Sequence, residues 1–231
     1  MRRKVLVFLT VCVYLAAMAF GIAKRQTYTD LAKQENYLDQ VVVAELPEGL
    51  ANTSCEKMSQ ILPDSAHILR VEATGEIEHL FLVDRQRAVI RQVYAGDGLE
   101  EGEEICLFSG RWQLIADEEE QSIQRGFVNI MEVGTEYLVF AESVGEDWKT
   151  DIPLVKVNAG DDEFVIAPVF CYEERQNVIM PISGGTTYVP YKDVKDNEFF
   201  AASEEALQVM LELKNRMLSL YPRGRDLSQY E

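Results

Sequence analysis

Beyond residue 25 the chain carries two histidines, His67 and His79, and three cysteines, Cys55, Cys106 and Cys171. A zinc site needs three or four nitrogen or sulfur ligands brought together. With no Cys-x-x-Cys pair, this supply barely reaches that number. At most one internal disulfide can form and one thiol is left over, so this is no small secreted disulfide scaffold. Serine chemistry fares little better. A hydrolytic triad needs a nucleophile, a base and an orienting group, and there is no Gly-x-Ser-x-Gly elbow. A Ser–Lys dyad stays open, because the convergence of two common residue types leaves no trace in sequence.

The glycine-rich and acidic stretches offer no firmer chemistry. Ser183-Gly184-Gly185-Thr186-Thr187 has the look of an oxyanion or phosphate cradle. No helical pattern follows it and no lysine holds the expected place, so it reads as a hairpin loop. Gly96, Gly98 and Gly102 are wrongly spaced for a dinucleotide loop, and Asp97, Glu100 and Glu101 would repel a pyrophosphate. Asp161-Asp162-Glu163, beside Asn158 and Gly160, lacks the alternating ligand register of a calcium loop and reads as a solvated turn. The acidic loop Asp117-Glu118-Glu119-Glu120 is a candidate cation site, more simply a solvated loop. Trp112, Trp148, Phe199 and Phe200 either pack the core or form a recognition patch, with Trp148 flanked by Asp147 and Lys149. No catalytic, cofactor-binding or metal-ligating residue is assigned, and no cofactor is expected.

Binding is the chemistry that remains, and the first 25 residues set its compartment. Val5 to Ala23 is an uncharged, mostly apolar run of 19 residues after Arg2, Arg3 and Lys4. As a helix it spans roughly 28 Å, about the hydrocarbon thickness of a bilayer. The basic cluster is expected to stay in the cytoplasm, which sends the rest across the membrane. Residues 1–25 therefore read as a basic tip and a signal-anchor or transmembrane helix over about 5–23, with Lys24 and Arg25 at the interface. A cleaved secretory signal is the alternative, with Ala17-Met18-Ala19 or Gly21-Ile22-Ala23 offering small residues at the cleavage positions. A buried soluble helix is the third reading. Cys12 is a small apolar residue within the run.

The chain has 39 acidic and 22 basic residues, for a net charge of −17. Five of the basic residues and no acidic one lie in residues 1–25, so the remainder carries a formal −22. That field repels phosphate backbones and anionic lipid heads, which excludes nucleic acid and leaves cationic partners open. The plainer reading is that acidity keeps an exported domain soluble.

Residues 26–62 read as a juxtamembrane stalk and helix. They include a short strand from Val41 to Ala44 and a helix from Glu48 to Leu62, closed by Pro63-Asp64-Ser65. Asn52-Thr53-Ser54 matches a glycosylation sequon, relevant only in a host that glycosylates exported proteins. Residues 63–200 are strand-rich. Strands are expected at His67 to Ala73, Leu80 to Tyr94, Glu104 to Phe108 and Arg111 to Ala116. Further strands are expected at Tyr137 to Ala141, Pro153 to Val157, Phe164 to Tyr172 and Thr186 to Pro190. Leu80 to Tyr94 is too long for one flat strand without a bend or bulge. Residues 201–222 form an amphipathic helix with Ser203 as N-cap, Glu204 and Glu205 in its first turn, and Lys214 and Arg216 nearer its negative end. Its stripe is Leu207, Met210, Leu211, Met217, Leu218 and Tyr221. Residues 223–231 are a tail.

Between residues 66 and 141 the order of signals resembles a known module. Ala66-His67-Ile68-Leu69-Arg70-Val71 resembles its first strand, and Val93-Tyr94-Ala95-Gly96 its long strand ending at an aliphatic-x-x-Gly turn. Gly134-Thr135-Glu136-Tyr137-Leu138-Val139-Phe140 is similar to its Gly-x-x-Tyr-Leu-Val-Phe strand. These are features of OB-like barrels of the netrin and metalloproteinase-inhibitor type, which also occur in uncharacterised bacterial exported proteins. The resemblance implies fold and not inhibition. Those inhibitors place a disulfide-bonded cysteine at the mature N-terminus, where this chain has Lys24-Arg25-Gln26-Thr27, and their cysteine framework is missing.

The fold class expected is mainly β (α+β), with an N-terminal transmembrane helix, a small OB-like β-barrel and a C-terminal helix. The function expected is an anchored, extracytoplasmic, non-catalytic domain that binds a protein, peptide or glycan outside the cytoplasmic membrane. Two alternatives stand beside it. One is an exported enzyme using carboxylates or a Ser–Lys pair; the other is a structural subunit of an envelope complex docking through Ala201 to Tyr221.

Overall fold

The run Tyr137-Leu138-Val139-Phe140-Ala141 is apolar without alternation because both of its faces are covered. Tyr137, Val139 and Ala141 point into one core, while Leu138 and Phe140 point into another. That is the signature of a strand with packing on each side. The computed structural model describes residues 2–27, 37–44, 46–79, 84–110, 113–116, 121–124, 128–146, 150–161, 163–179 and 188–224. The loop Asp117 to Glu120, Trp112, Trp148, Asp162, the Ser183 to Thr187 loop, residues 28–36 of the expected stalk and 225–231 of the tail lie outside the described residues.

The chain forms two compact units, Met1–Glu35 and Asn36–Glu231. In the first, helix α1 (Arg2–Thr27) contains the apolar run, and its span Arg3–Lys24 is long and apolar enough to cross a membrane.

In the second unit five strands close on themselves. They are β2 (His67–Ala73), β4 (Asp84–Ala95), β5 (Glu104–Phe108), β8 (Glu136–Glu146) and β9 (Pro153–Val157), paired in the order β2-β4-β5-β9-β8 and back to β2. Every pairing is antiparallel except β5 with β9. This is a small closed five-stranded barrel, as the long second strand and its glycine turn led one to expect. Strand β4 bends through register shifts against β2 between Ile68 and Leu69 and between Arg70 and Val71, the device that lets a short sheet curl shut. At its end Gly96 takes φ 99°, where a Cβ would sit 2.3 Å from His67 Nδ1. Only glycine fits there. The barrel interior is filled by Leu69, Val71, Ile90, Leu107, Val139 and Val155, among others.

Short strand β3 (Glu78–His79) pairs with β4, and β10 (Val169–Cys171) extends the barrel sheet beside β8. The expected strand from Phe164 is shorter in the structure because Pro168 has no N–H to give a ladder. Phe164 and Ile166 are apolar because they are buried in the helix-side core. A second sheet runs β11-β1-β7-β6, from β1 (Val42–Ala44), β6 (Gln113–Ala116), β7 (Gln121–Gln124) and β11 (Tyr188–Pro190). Short helix α3 (Tyr191–Val194) follows it, and Tyr191, Val194 and Phe200 join Val43 and Val189 in a third cluster.

Helix α2 (Glu48–Ile61) and helix α4 (Glu204–Leu220) pack together against the barrel exterior. Ser203 caps α4 by accepting the Ala206 N–H at 3.1 Å. Leu207, Met210, Leu213 and Met217 are buried with Ala51, Cys55 and Met58 of α2 over Ile68, Leu138 and Phe140. The stripe that sequence left open to a docking partner is spent inside this chain. Within residues 26–62, β1 and α2 are thus ordered parts of the second unit.

Candidate functional site

Alternation divides the barrel's outer face in two. Ile68, Leu138 and Phe140 lie under the helices. Further along the same strands Arg70 and Glu72 of β2, Arg91 of β4 and Glu136 of β8 replace apolar side chains. With Glu101, Ile90 and Gly102 they line an open groove of about 550 Å³.

The charges in this groove are tightly arranged. Glu72 and Glu136 sit directly opposite each other across β2 and β8, a like-charge pair that destabilises a sheet unless compensated. Arg91 compensates one: its Nε and Nη2 both donate to Glu72 Oε2, at 3.0 and 2.8 Å. Arg70 Nη1 lies 3.5 Å from Glu136 Oε2, and Arg223 pairs with the same oxygen. Arg70 Nη2 also donates to the Arg91 carbonyl at 3.3 Å. Even so, Arg70 Nε and Glu136 Oε2 are buried atoms without a hydrogen bond among the described residues. The ion pairs continue along β4, where Arg85 and Arg87 meet Glu78 of β3 at 2.8 and 3.2 Å.

At one edge of the groove the chain's C-terminal segment crosses the barrel. Tyr94 donates to the Pro222 carbonyl at 2.6 Å, and Tyr172 donates to the Tyr221 carbonyl at 2.8 Å. The Tyr221 ring packs against Tyr94 and Phe140, with centroids 5.4 and 5.7 Å away. Burial and the neighbouring Tyr94 raise the Tyr172 hydroxyl above its ordinary range, so it remains a neutral donor.

A separate polar cluster is buried beneath α4. Lys214 Nζ donates to Glu198 Oε2 and, at 3.0 Å, to the Glu173 carbonyl. Glu198 Oε1 accepts the Cys171 N–H at 2.7 Å. Burial raises the Glu198 carboxyl against the opposing pull of Lys214. Lys214 is therefore an internal ion-pair partner and not only a solvated charge at the helix end. The neighbouring hole, lined by residues including Asn129, Tyr137, Arg175 and Glu198, measures about 10 Å³, room for one water and no substrate.

The histidines, cysteines and paired phenylalanines are dispersed through the fold. His67 rests against Gly96, its Nδ1 buried without a hydrogen bond among the described residues. His79 lies in β3. Cys55, Cys106 and Cys171 are buried and form no disulfide among the described residues, and burial pushes the Cys55 thiol up to about 12. Phe199 and Phe200 are core residues. Asn158 Oδ1 accepts the Gly160 N–H at 2.8 Å and its amide donates to Ser65, so this polar side chain shapes a turn; Glu163 pairs with Lys57.

The groove itself does not stand out in the sequence. Its signal was available: Arg85, Arg87 and Arg91 fall at outward positions of one strand in a strongly acidic chain. What hid it was the partners, since Glu72, Glu136 and Arg223 come from three other segments. Compared with known proteins, the chain matches no family model and no curated protein.

Proposed function

We propose that this protein is a membrane-anchored, non-catalytic binding domain that works outside the cytoplasmic membrane. It takes a protein, peptide or glycan on the barrel face formed by β2, β4 and β8. The observation that carries this reading is the groove of Arg70, Glu72, Arg91, Glu101 and Glu136. The Arg91–Glu72 pair is largely open to solvent, and such pairs contribute at most about 1 kcal/mol, so stability is a poor reason to place it there. Preset charges of both signs suit recognition, because they fix register and reject wrong partners. OB-like barrels use their outer strand faces to bind oligonucleotides and oligosaccharides; a body of formal charge −22 excludes the first of these. The resemblance to the netrin-type module over residues 66–141 adds an expectation of the same kind, and helix α1 supports the anchored placement.

The test is a pull-down of the full chain from its own membranes, beside an Arg91→Glu, Glu101→Lys variant. Partners recovered with the wild-type chain and lost with the variant support the reading. Identical recovery from both overturns it.

A further inference from the structure

One polypeptide segment, the chain's own, already lies beside the groove and reaches its Glu136. Tyr221, Pro222, Arg223 and Gly224 pass along its edge. The hold consists of two hydroxyl donors on successive backbone carbonyls, from Tyr172 and Tyr94, and one carboxylate, Glu136, on the Arg223 guanidinium. Gly224 closes against Gln92, where a Cβ would lie 3.1 Å from the amide oxygen. Donors to main-chain carbonyls are indifferent to sequence, while the carboxylate selects a cation. The charge count of the groove points the same way. Its lining has two guanidinium groups against three carboxylates, and Glu72 stands opposite Glu136. Without Arg223, Glu136 keeps Arg70, at 3.5 Å, as its one cationic partner among the described residues. An occupant must therefore bring a positive charge to the position Arg223 now fills.

We propose that the groove is a docking site for an extended, arginine-bearing polypeptide, and that Tyr221–Gly224 occupies its edge as an intramolecular competitor. The inference rests on the binding reading above and names its ligand class. A partner strand enters by displacing the segment, lays carbonyls under Tyr94 and Tyr172, and sets a guanidinium on Glu136. Since Arg223 is half exposed, its ion pair is weak enough to exchange.

The probe is an acetylated, fluorescein-labelled peptide of residues 222–231, titrated by polarisation into full chains held in nanodiscs. Arg223→Ala is expected to bind it at least about tenfold more tightly than wild type, because the competitor has lost its charge. Adding Glu136→Gln to that variant is expected to remove about tenfold again. Shortening the chain after Tyr221 provides a second acceptor, checked for folding by circular dichroism. Equal affinity for wild type and Arg223→Ala, or indifference to Glu136→Gln, overturns the inference. If that happens while the Arg91→Glu, Glu101→Lys chain still loses its partners, only the competitor is refuted and the binding face stands.

Discussion

Tyr94 gives its hydroxyl proton to the carbonyl of Pro222 at 2.6 Å, bridging 128 positions of sequence. Tyr172 does the same for Tyr221, and the two hydroxyl oxygens are 3.1 Å apart. Each hydroxyl has a single proton, so while both serve carbonyls no proton lies between them. Tyr94→Phe is expected to cost about 1 kcal/mol in urea denaturation. It is also expected to raise hydrogen exchange in the segment after Leu220. Unchanged exchange there would show that the contact does not hold the segment.

The buried Glu198–Lys214 pair makes a different prediction. Glu198→Ala leaves the Lys214 ammonium unpaired inside the protein and removes the Cys171 N–H acceptor. The expected loss is about 3–5 kcal/mol. Combining Glu198→Gln with Lys214→Met removes both charges together and is expected to recover part of it. Denaturant titration of the wild type and these two variants decides, and a double variant as weak as the single one would refute the pairing argument.

Much of this fold was legible because local pattern and global packing agree. The apolar run of β8, the exact span Pro153–Val157 and the Ser203 cap each follow from a short-range rule. The β10 expectation began five residues too early, since a buried loop such as 164–168 is as apolar as a strand until Pro168 is weighed. The joining of β1 with β11 and β7 was not legible either. Three-residue strands carry too little period, and their partners lie about eighty or more residues away. The groove was hidden for the same reason, the charges of β2, β4 and β8 meeting only when these distant strands pair.

Ser203 offers a clean test of the local reading. It satisfies the Ala206 N–H at the start of α4, the helix that covers the barrel. Ser203→Ala is expected to lower stability by about 1 kcal/mol, and Ser203→Asp to restore it. Thermal unfolding of both variants checks this, and equal melting of Ala and Asp would argue against a capping role.

Acid sensitivity should be traceable to Glu142. Burial alone would raise its carboxyl, but Lys156 and the Ala159 N–H outweigh that and hold it below the ordinary range. A carboxyl lowered on folding adds stability above its unfolded value of about 4.3 and loses it as pH falls through the folded value. Between about pH 5 and pH 3 the wild type is therefore expected to lose more stability than Glu142→Gln. Parallel pH profiles for the two chains would remove this assignment.

Everything proposed about partners requires the second unit, Asn36–Glu231, to lie outside the cytoplasmic membrane, and protease treatment of intact cells measures that directly. The account predicts digestion of the unit without lysis, together with protection of the segment from Val5 to Ala23 if the anchor is retained. A unit that survives in intact cells and is lost only after lysis would place it in the cytosol and contradict the account.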